Sequence, residues 1–510
     1  MPRIFSVRKK GDLKVLFVST EAYPFTNMGG LGHVMHALPR ALEKLGYDVR
    51  VMLPKYLSID EEKYSMKMEV ANLQVPNDNE EEPTSLICNV KRFDPTEDSN
   101  SSVTTYFLEN QEYYEQRANV YGYADDPIRW ALLSRGVLEF LRVDKAWAPD
   151  VILATDWSLG FLPNYLKTTY KKDPVLSKIA SIFSIHNMAY QGMFDHNFVQ
   201  EMDFDDGHSL IPSFNDPRLM KINGMRRGIM YADAINTISP TYAKEIMTKD
   251  FGGGLDDLLR ERRAFLYGIL DGIDYKTWSP STDPYISQKY SKQNLGLRKE
   301  NKETLQNRFG LPTNDDVFVM GIASRLVGQK GFDLLRPIAK TLFEELPIQL
   351  VVLGDGDTHL MKYFHELEES YPDKVGVHLK FDPVLPRLVF AGADVVLVPS
   401  LFEPSGLVQM EAMRFGAIPI VRKTGGLVDT VEDYSSEEKK GTGFVFEKFD
   451  SLALLVAIIR AYENFKNKAN WQSIQERAMG QDFSWESSAK KYAELLEKAV
   501  EFKSQQGELS

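Results

Sequence analysis

The chain has 510 residues, 43% of them hydrophobic and 26% charged, which is too long for one ordinary core and points to two globular domains of similar size. Sixty Lys and Arg against 72 Asp and Glu leave a formal charge of −12; an acidic surface excludes nucleic acid as the expected partner but leaves room for a locally basic cleft that takes a phosphorylated small molecule. No apolar run approaches the ~20 residues that span a bilayer, and the basic N-terminal segment lacks the apolar stretch of a secretory signal, so no membrane partner and a cytoplasmic location are expected.

In chain order, residues 13–19 (LKVLFVS) predict a first strand. A Pro- and Gly-rich turn follows, and then Leu31, Val34, Met35, Leu38, Ala41, Leu42 and Leu45 fall on one face of a helix. Gly46 is placed to stop that helix, and residues 48–53 predict the next strand. Residues 77–103 are polar and acidic and read as a surface loop with at most a hairpin. Within it, Cys88 in SLICNV is the only cysteine, which excludes an intramolecular disulfide or a cysteine metal cluster. Strands are predicted again at 151–154, 182–185 and 234–238. Gly, Pro, Ser and Asp cluster between 268 and 302 (DGIDYKTWSPSTDP), which marks a domain junction near 275. Beyond it the strands 317–323, 349–353, 394–398 and 418–421 alternate with helical stretches. The expected fold class is α/β, two doubly wound halves, whose ligands bind off the carboxyl ends of the strands.

Three loops at such strand ends carry chemistry. In PFTNMGGLGHV, Gly29 and Gly30 lie between strand and helix, where backbone N–H groups can approach a phosphate; tight packing explains the same glycines equally well. In ASRLVGQKG, Arg325 and Lys330 suit a pyrophosphate that gains negative charge as it leaves, beside the alternative of a solvated helix start. In LFEPSGLVQMEAMRFGAIPIV, Glu403 follows a strand and Glu411 lies in the helix opened by Gly406 and Leu407. Carboxylates accept from sugar hydroxyls; a dipole-favoured, solvated position is the other reading, better suited to Glu411 than to Glu403.

These stretches, with STEAYPFTNMGGLG, ATDWS, SIHNMAYQG, TISPTYAKEI, GGGLDDLLR, DGIDYKTWSP, RKTGGLVDTV and DFSWESSAKKY, resemble the bacterial glycogen synthase and starch synthase family, in the family's order and over nearly the whole chain. The resemblance implies a GT-B fold: a Rossmann-like acceptor-side domain (12–272), a Rossmann-like nucleotide-sugar-binding domain (273–484) facing it across a cleft, and a C-terminal helix (485–510) returning to the first domain. It implies a retaining transfer of glucose from ADP-glucose or UDP-glucose to an α-1,4-glucan, with no cofactor and no metal. The eight histidines form no H-x-x-x-H pair.

By the same resemblance, Arg325 and Lys330 hold the donor diphosphate, Glu403 meets the transferred glucose, and Glu411 completes the Glu-x7-Glu pattern toward the ribose. His186 and Asn187 match the segment beside the reacting sugar; without that match, His186 reads as a buried structural histidine. Asp156 corresponds to an acceptor-side aspartate. Asn27, Gly29, Gly30, Ser405, Gly406, Leu407, Thr424, Gly425 and Gly426 fall in the loops that bind substrate. Four stretches depart from the family, at five positions: Asn27 replaces its lysine, Thr155 and Ser158 the two histidines of His-Asp-Trp-His, Ser405 a cysteine, and Asp271 an asparagine. Losing the lysine's charge weakens a phosphate contact. Asn27 and Ser158 therefore also admit a weakly active glucan-binding homologue, and Glu411 admits a retaining GT-B enzyme that builds another glycoside.

Overall fold

The computed structural model describes residues 12–77, 84–95, 103–144, 146–192 and 205–508. The chain separates into two compact units, one of Met1–Ile238, Ala243–Ile269 and Trp485–Ser510, the other of Ser239–Tyr242 and Leu270–Ser484. Among the described residues no helix is long and apolar enough to cross a membrane.

Unit 1 is built on strands β1 (Lys14–Val18), β2 (Asp48–Pro54), β3 (Lys67–Pro76), β4 (Ser85–Phe93), β5 (Thr104–Glu109), β6 (Val151–Thr155), β7 (Ala180–Ile185), β8 (Ala234–Thr237) and β9 (Leu266–Gly268). They form one sheet in the order β3-β4-β5-β2-β1-β6-β7-β8-β9. The strands from β5 to β9 in that order run parallel, and β3 and β4 add an antiparallel edge. Near-continuous apolar runs such as VILAT and ASIFSI are buried throughout, as a parallel sheet covered on both faces requires. The helix Trp485–Glu508 packs on this unit, where Tyr492 accepts from Asn236 (3.1 Å) and Glu486 pairs with Lys44 (2.8 Å).

Unit 2 holds β10 (Phe318–Ala323), β11 (Ile348–Leu353), β12 (Val375–His378), β13 (Val395–Val398), β14 (Ile418–Arg422) and β15 (Phe444–Phe446). All six are parallel, in the order β12-β11-β10-β13-β14-β15. The order of the parallel strands turns back between β1 and β6 in the first sheet and between β10 and β13 in the second. Such switch points leave a crevice at the carboxyl ends of the two central strands.

An aspartate immediately before a strand fixes the register at both switch points and once more. Asp150 donates its N–H to Lys14 O (2.8 Å) and accepts from Lys14 N on its carboxylate (3.0 Å). Asp394 does the same with Val319 (2.9 and 2.8 Å), and Asp233 with Ser181 (3.0 and 2.8 Å). Each clamp closes the amino end of a strand pair, where a backbone N–H would otherwise lack a partner. Asp394 therefore precedes β13 rather than opening it.

Two expected elements differ. Residues 77–103 are not a loop with a hairpin: β4 runs for nine residues between β3 and β5. Its Lys91 and Arg92 disguise the alternation, because they pair with Glu61, Glu109 and Asp94 alongside the sheet. Residues 78–83 and 96–102 of that stretch, and 509–510 of the expected terminal helix, lie outside the described residues. After β10 no α-helix starts at the ASRLVGQKG loop; the short turns Gly328–Lys330 and Phe332–Leu335 come first, and the helix begins at Ala339. Gly331 in the left-handed region and Pro337 both interrupt helical propagation.

The Asp394 clamp carries a stability prediction. Its carboxylate also accepts from Lys302 Nζ at 2.8 Å, and both side chains are almost fully buried. Lys302→Met leaves a buried carboxylate without its cation and is expected to cost about 3–5 kcal/mol in urea unfolding. Lys299→Met removes an exposed contact to Asp315 (3.8 Å) and should cost below about 1 kcal/mol.

Candidate functional site

Two clusters form, one in each unit, each at its sheet's switch point. In unit 2 the loops after β10 and β13 are laced together: Leu401 N donates to Gln329 O (2.8 Å) and Gln329 Nε2 to Phe402 O (3.1 Å). This brings Lys330 to Glu403. Lys330 Nζ lies 2.6 Å from Glu403 Oε2, and the fully buried Ser400 donates its Oγ to the same oxygen at 2.8 Å. Both donors converge on Oε2, and Oε1 has no partner among the described residues. Arg422 holds Ser400 in turn, through Nε to Ser400 O at 2.8 Å. Around Glu403 and Lys330 lies a recess of about 310 Å³ of atom-free space, lined also by Ser324, Phe332, Gly406, Leu407 and Gln409.

The turn after Glu403 needs its glycines. Gly406 has φ +73°, and a Cβ on Gly426 would sit 2.0 Å from Ser405 O. Ser405 Oγ is buried without a hydrogen-bond partner among the described residues. Leu407 precedes the helix Val408–Arg414, and Thr424 precedes Gly425–Thr430. The N–H of Gly426, expected at substrate, donates instead to Glu403 O (3.0 Å) and Pro404 O (3.2 Å). It braces the turn. Arg325 stands apart: it is exposed, with no ion-pair or hydrogen-bond partner among the described residues.

Glu411 is not on a solvated face. It is half-buried with no cation in contact among the described residues; burial pushes its carboxyl up to about 8, and Arg387 offsets only part of that. Arg387 is itself engaged by Asp283 at 3.0 Å and by the Trp278 ring at 4.4 Å.

In unit 1 the loop after β1 is organised by Glu21, which the sequence alone does not single out. Its buried carboxylate accepts from Met28 N (2.6 Å) and Gly29 N (3.1 Å) on Oε2 and from Tyr121 on Oε1 (3.2 Å). The Gly29 N–H offered to a phosphate is thus engaged within the protein. A Cβ on Gly29 or Gly30 would meet nothing within 4 Å, so the space beside both is open. Asn27 is exposed and its amide lies 3.2 Å from His33 Nε2.

After β6, Asp156 adopts φ +55°, a conformation costly for a residue with a side chain. Its Oδ1 accepts from His186 N at 2.8 Å. Burial raises its carboxyl, while His186 and the N–H groups of His186 and Asn187 pull it down. His186 Nε2 lies 3.2 Å from Ser184 Oγ, and Asn187 Oδ1 closes a turn onto Ala189 N (2.9 Å). Glu21 raises Asp156 further and Asp156 raises Tyr121, so the loops after β1 and β6 share one electrostatic neighbourhood. Glu21 lies inside a motif already noted, whereas Tyr121, a hundred residues away, carries no sequence signal.

Among the described residues one carboxylate triad, Glu61, Glu109 and Glu115, is close enough to share a cation. Lys91 lies 2.6 Å from both Glu61 and Glu109, and Lys55 pairs with Glu61 and Glu115, so two ammonium groups already occupy the place of a cation among the three carboxylates.

A family model described as the starch synthase catalytic domain matches residues 14–261, and one described as glycosyl transferases group 1 matches 303–477. The glycogen synthase of Thermotoga maritima is 40% identical over 493 residues, covering 96% of this chain and 99% of that protein. That of Clostridium novyi is 40% identical over 484 residues, covering 94% and 98%. The catalytic domain of starch synthase IV from Arabidopsis thaliana, solved with ADP and acarbose bound, superposes with a TM-score of 0.81 at 31% identity, covering 96% of this chain and 100% of that one. Fold and comparisons together define a glycosyltransferase of the two-domain GT-B class. Within that class, the chain belongs to the glycogen synthase family.

Glu411 gives a pH prediction. Its folded value of about 8 lies above the ordinary 4.5, so between those values the folded chain holds a proton that the unfolded chain has lost. Stability therefore falls as pH rises through this window, by at most about 1.4 kcal/mol per pH unit, and levels off above it. Glu411→Gln should be more stable than the parent by a margin that grows from pH 5 to pH 8 in urea unfolding. A margin independent of pH would refute the assignment.

Proposed function

We propose that the chain transfers glucose from a nucleotide-glucose, ADP-glucose or UDP-glucose, to the non-reducing end of an α-1,4-glucan with retention of configuration. The observation that carries this reading is the Glu403 carboxylate, held at one oxygen by Lys330 and Ser400 and open at the other. A carboxylate oxygen without a donor suits a polyol, whose hydroxyls are donors. Glu403 Oε1 then orients the transferred glucose.

Lys330 keeps further N–H donors beyond the one on Glu403 and places them on the diphosphate. Arg325, with no ion-pair or hydrogen-bond partner among the described residues, adds its planar fork to the phosphate oxygens. Charge grows on that diphosphate as the glycosidic bond breaks, and fixed cations stabilise it more in the transition state than in the ground state. The two side chains supply the neutralisation that a divalent ion supplies elsewhere, so the reading is metal-independent. Glu411, held protonated near neutral pH, both donates to and accepts from the ribose hydroxyls. In unit 1, Asp156 and His186 receive the sugar and the acceptor end. The acceptor hydroxyl attacks on the face the nucleotide leaves, and a leaving phosphate oxygen takes its proton.

One observation favours a slower enzyme. Asn27 replaces the family's lysine and its amide rests against His33, so this loop brings no formal charge to a phosphate.

Nucleoside diphosphate release with glycogen, measured across ADP-, UDP- and GDP-glucose with EDTA present, tests the assignment. Turnover with at least one donor, unchanged by EDTA, is expected. Glycogen binding without turnover on any donor would leave a glucan-binding homologue instead. Glu403→Gln and Arg325→Ala should each lower kcat roughly 10²–10³-fold, the range for removing a transition-state donor or charge. Asn27→Lys should lower the donor KM several-fold; an unchanged KM and kcat would remove Asn27 from the donor's reach.

A further inference from the structure

Beneath the Glu403 recess, hydrogen bonds converge on a side chain to which the reading above gives no role. Gln409, in the first turn of Val408–Arg414, is fully buried. Its Nε2 reaches Gly406 O (2.5 Å), Ser405 O (3.2 Å) and Thr430 Oγ1 (3.0 Å). Two carbonyls at one end fix the amide's orientation, since only its nitrogen donates. Thr430, also buried, passes the connection on by donating Oγ1 to Gly426 O at 2.7 Å. Gly426 N returns it to Glu403 O and Pro404 O.

The two turns joined in this way, 403–407 after β13 and 424–426 after β14, also meet directly where Gly426 N donates to Glu403 O and Pro404 O, and the side-chain link of Gln409 to Thr430 ties them a second time, from beneath. Each contains a glycine at positive φ, Gly406 at +73° and Gly425 at +46°. Neither turn takes part in the pairing of β13 with β14, which ends at Val398 and Val421. Gln409 Oε1, meanwhile, is buried with no partner among the described residues. A buried acceptor left unmade is costly, and an apolar side chain would avoid the cost. The nitrogen's three contacts are what the glutamine provides.

We infer that Gln409 and Thr430 form a strut that sets the distance between the two glycine turns, and through it the aim of Glu403 and of the Gly406 and Leu407 backbone at the sugar diphosphate. They are positioning residues, and their effect on turnover rests on the glucosyl-donor reading above. Losing a strut bond is expected to raise the donor KM roughly three- to tenfold, the span of one net hydrogen bond, and to leave the glucan KM unchanged.

The test is a cycle of Gln409→Met, Thr430→Val and the double variant, with Thr430→Ser as the conservative rescue. Steady-state kinetics are measured against donor and glucan, and hydrogen exchange is measured at the amides of 405–407 and 425–427. A strut requires that each single variant speed exchange in both turns, that the double be little worse than the worse single, and that Thr430→Ser stay close to the parent. Loosening confined to the mutated residue's own turn, or additive penalties, would overturn it. If the parent protein turns over no nucleotide-glucose, the donor reading fails, and the exchange pattern still decides for or against the strut.

Discussion

The structure depends on how its parallel strands are pinned at one end only. Asp150, Asp233 and Asp394 each lock the first or second residue of a neighbouring strand with one backbone and one carboxylate hydrogen bond. Two of these clamps lie at the switch points, between β1 and β6 and between β10 and β13. With the amino ends closed, the loops that leave the carboxyl ends carry the variation. The loops after β1, β6, β10 and β13 are the ones that hold Glu21, Asp156, Lys330 and Glu403. Register at one edge of each sheet thus becomes side-chain placement at the other.

At that other edge, carboxylates organise the polypeptide before any substrate arrives. Glu21 gathers two backbone N–H groups and a tyrosine, Asp156 takes the N–H of His186, and Glu403 takes a lysine and a serine on a single oxygen. Such loops have no ladder of their own to satisfy their backbone, so side-chain acceptors and donors take its place. The consequence is preorganisation: a fixed donor or acceptor needs no reorientation when charge develops. Glu411 obtains the opposite result by the same physics. With no cation in contact among the described residues, its carboxyl is pushed up to about 8 by burial, and a neutral carboxyl can both donate and accept a hydrogen bond.

Much of this was legible in the sequence because burial and period leave a direct trace. The runs VILAT and FVMGIA read as buried strands, and they are β6 and β10. Lys330 and Glu403 stood out because each follows such a run with a charge, and the fold brings them into contact. β4 was obscured by Lys91 and Arg92, whose partners Glu61, Glu109 and Asp94 belong to other elements or to the strand's end. The assignment of donors within the glycine loops was illegible for a related reason. Nothing local says that Gly29 N–H is engaged by Glu21, or Gly426 N–H by Glu403 O. A glycine motif marks where backbone approaches closely, without saying whether the approaching group is a ligand or the protein itself. Tyr121 and Ser400 illustrate the same limit, since a hydroxyl's importance depends on which carboxylate the fold sets beside it.

The charge arithmetic of the loops then bears on Asn27. Around Glu21 and Asp156 unit 1 gathers two carboxylates with no Lys or Arg paired to either among the described residues. In unit 2 Lys330 is balanced by Glu403 at 2.6 Å, and Arg325 is the cation left in excess. On the donor reading proposed above, a diphosphate that reaches Lys330 and Arg325 meets one positive charge shared with Glu403 and one with no partner among the described residues of unit 2. A lysine at position 27 would place an ammonium in the loop that Glu21 holds and would offset that carboxylate. Asparagine does neither, and its contact to His33 replaces a long-range attraction with a short-range hydrogen bond. Since charge–charge terms fall off slowly with distance and hydrogen bonds do not, on the donor reading proposed above the asparagine would weaken capture of a donor before it weakened the geometry of a donor already bound.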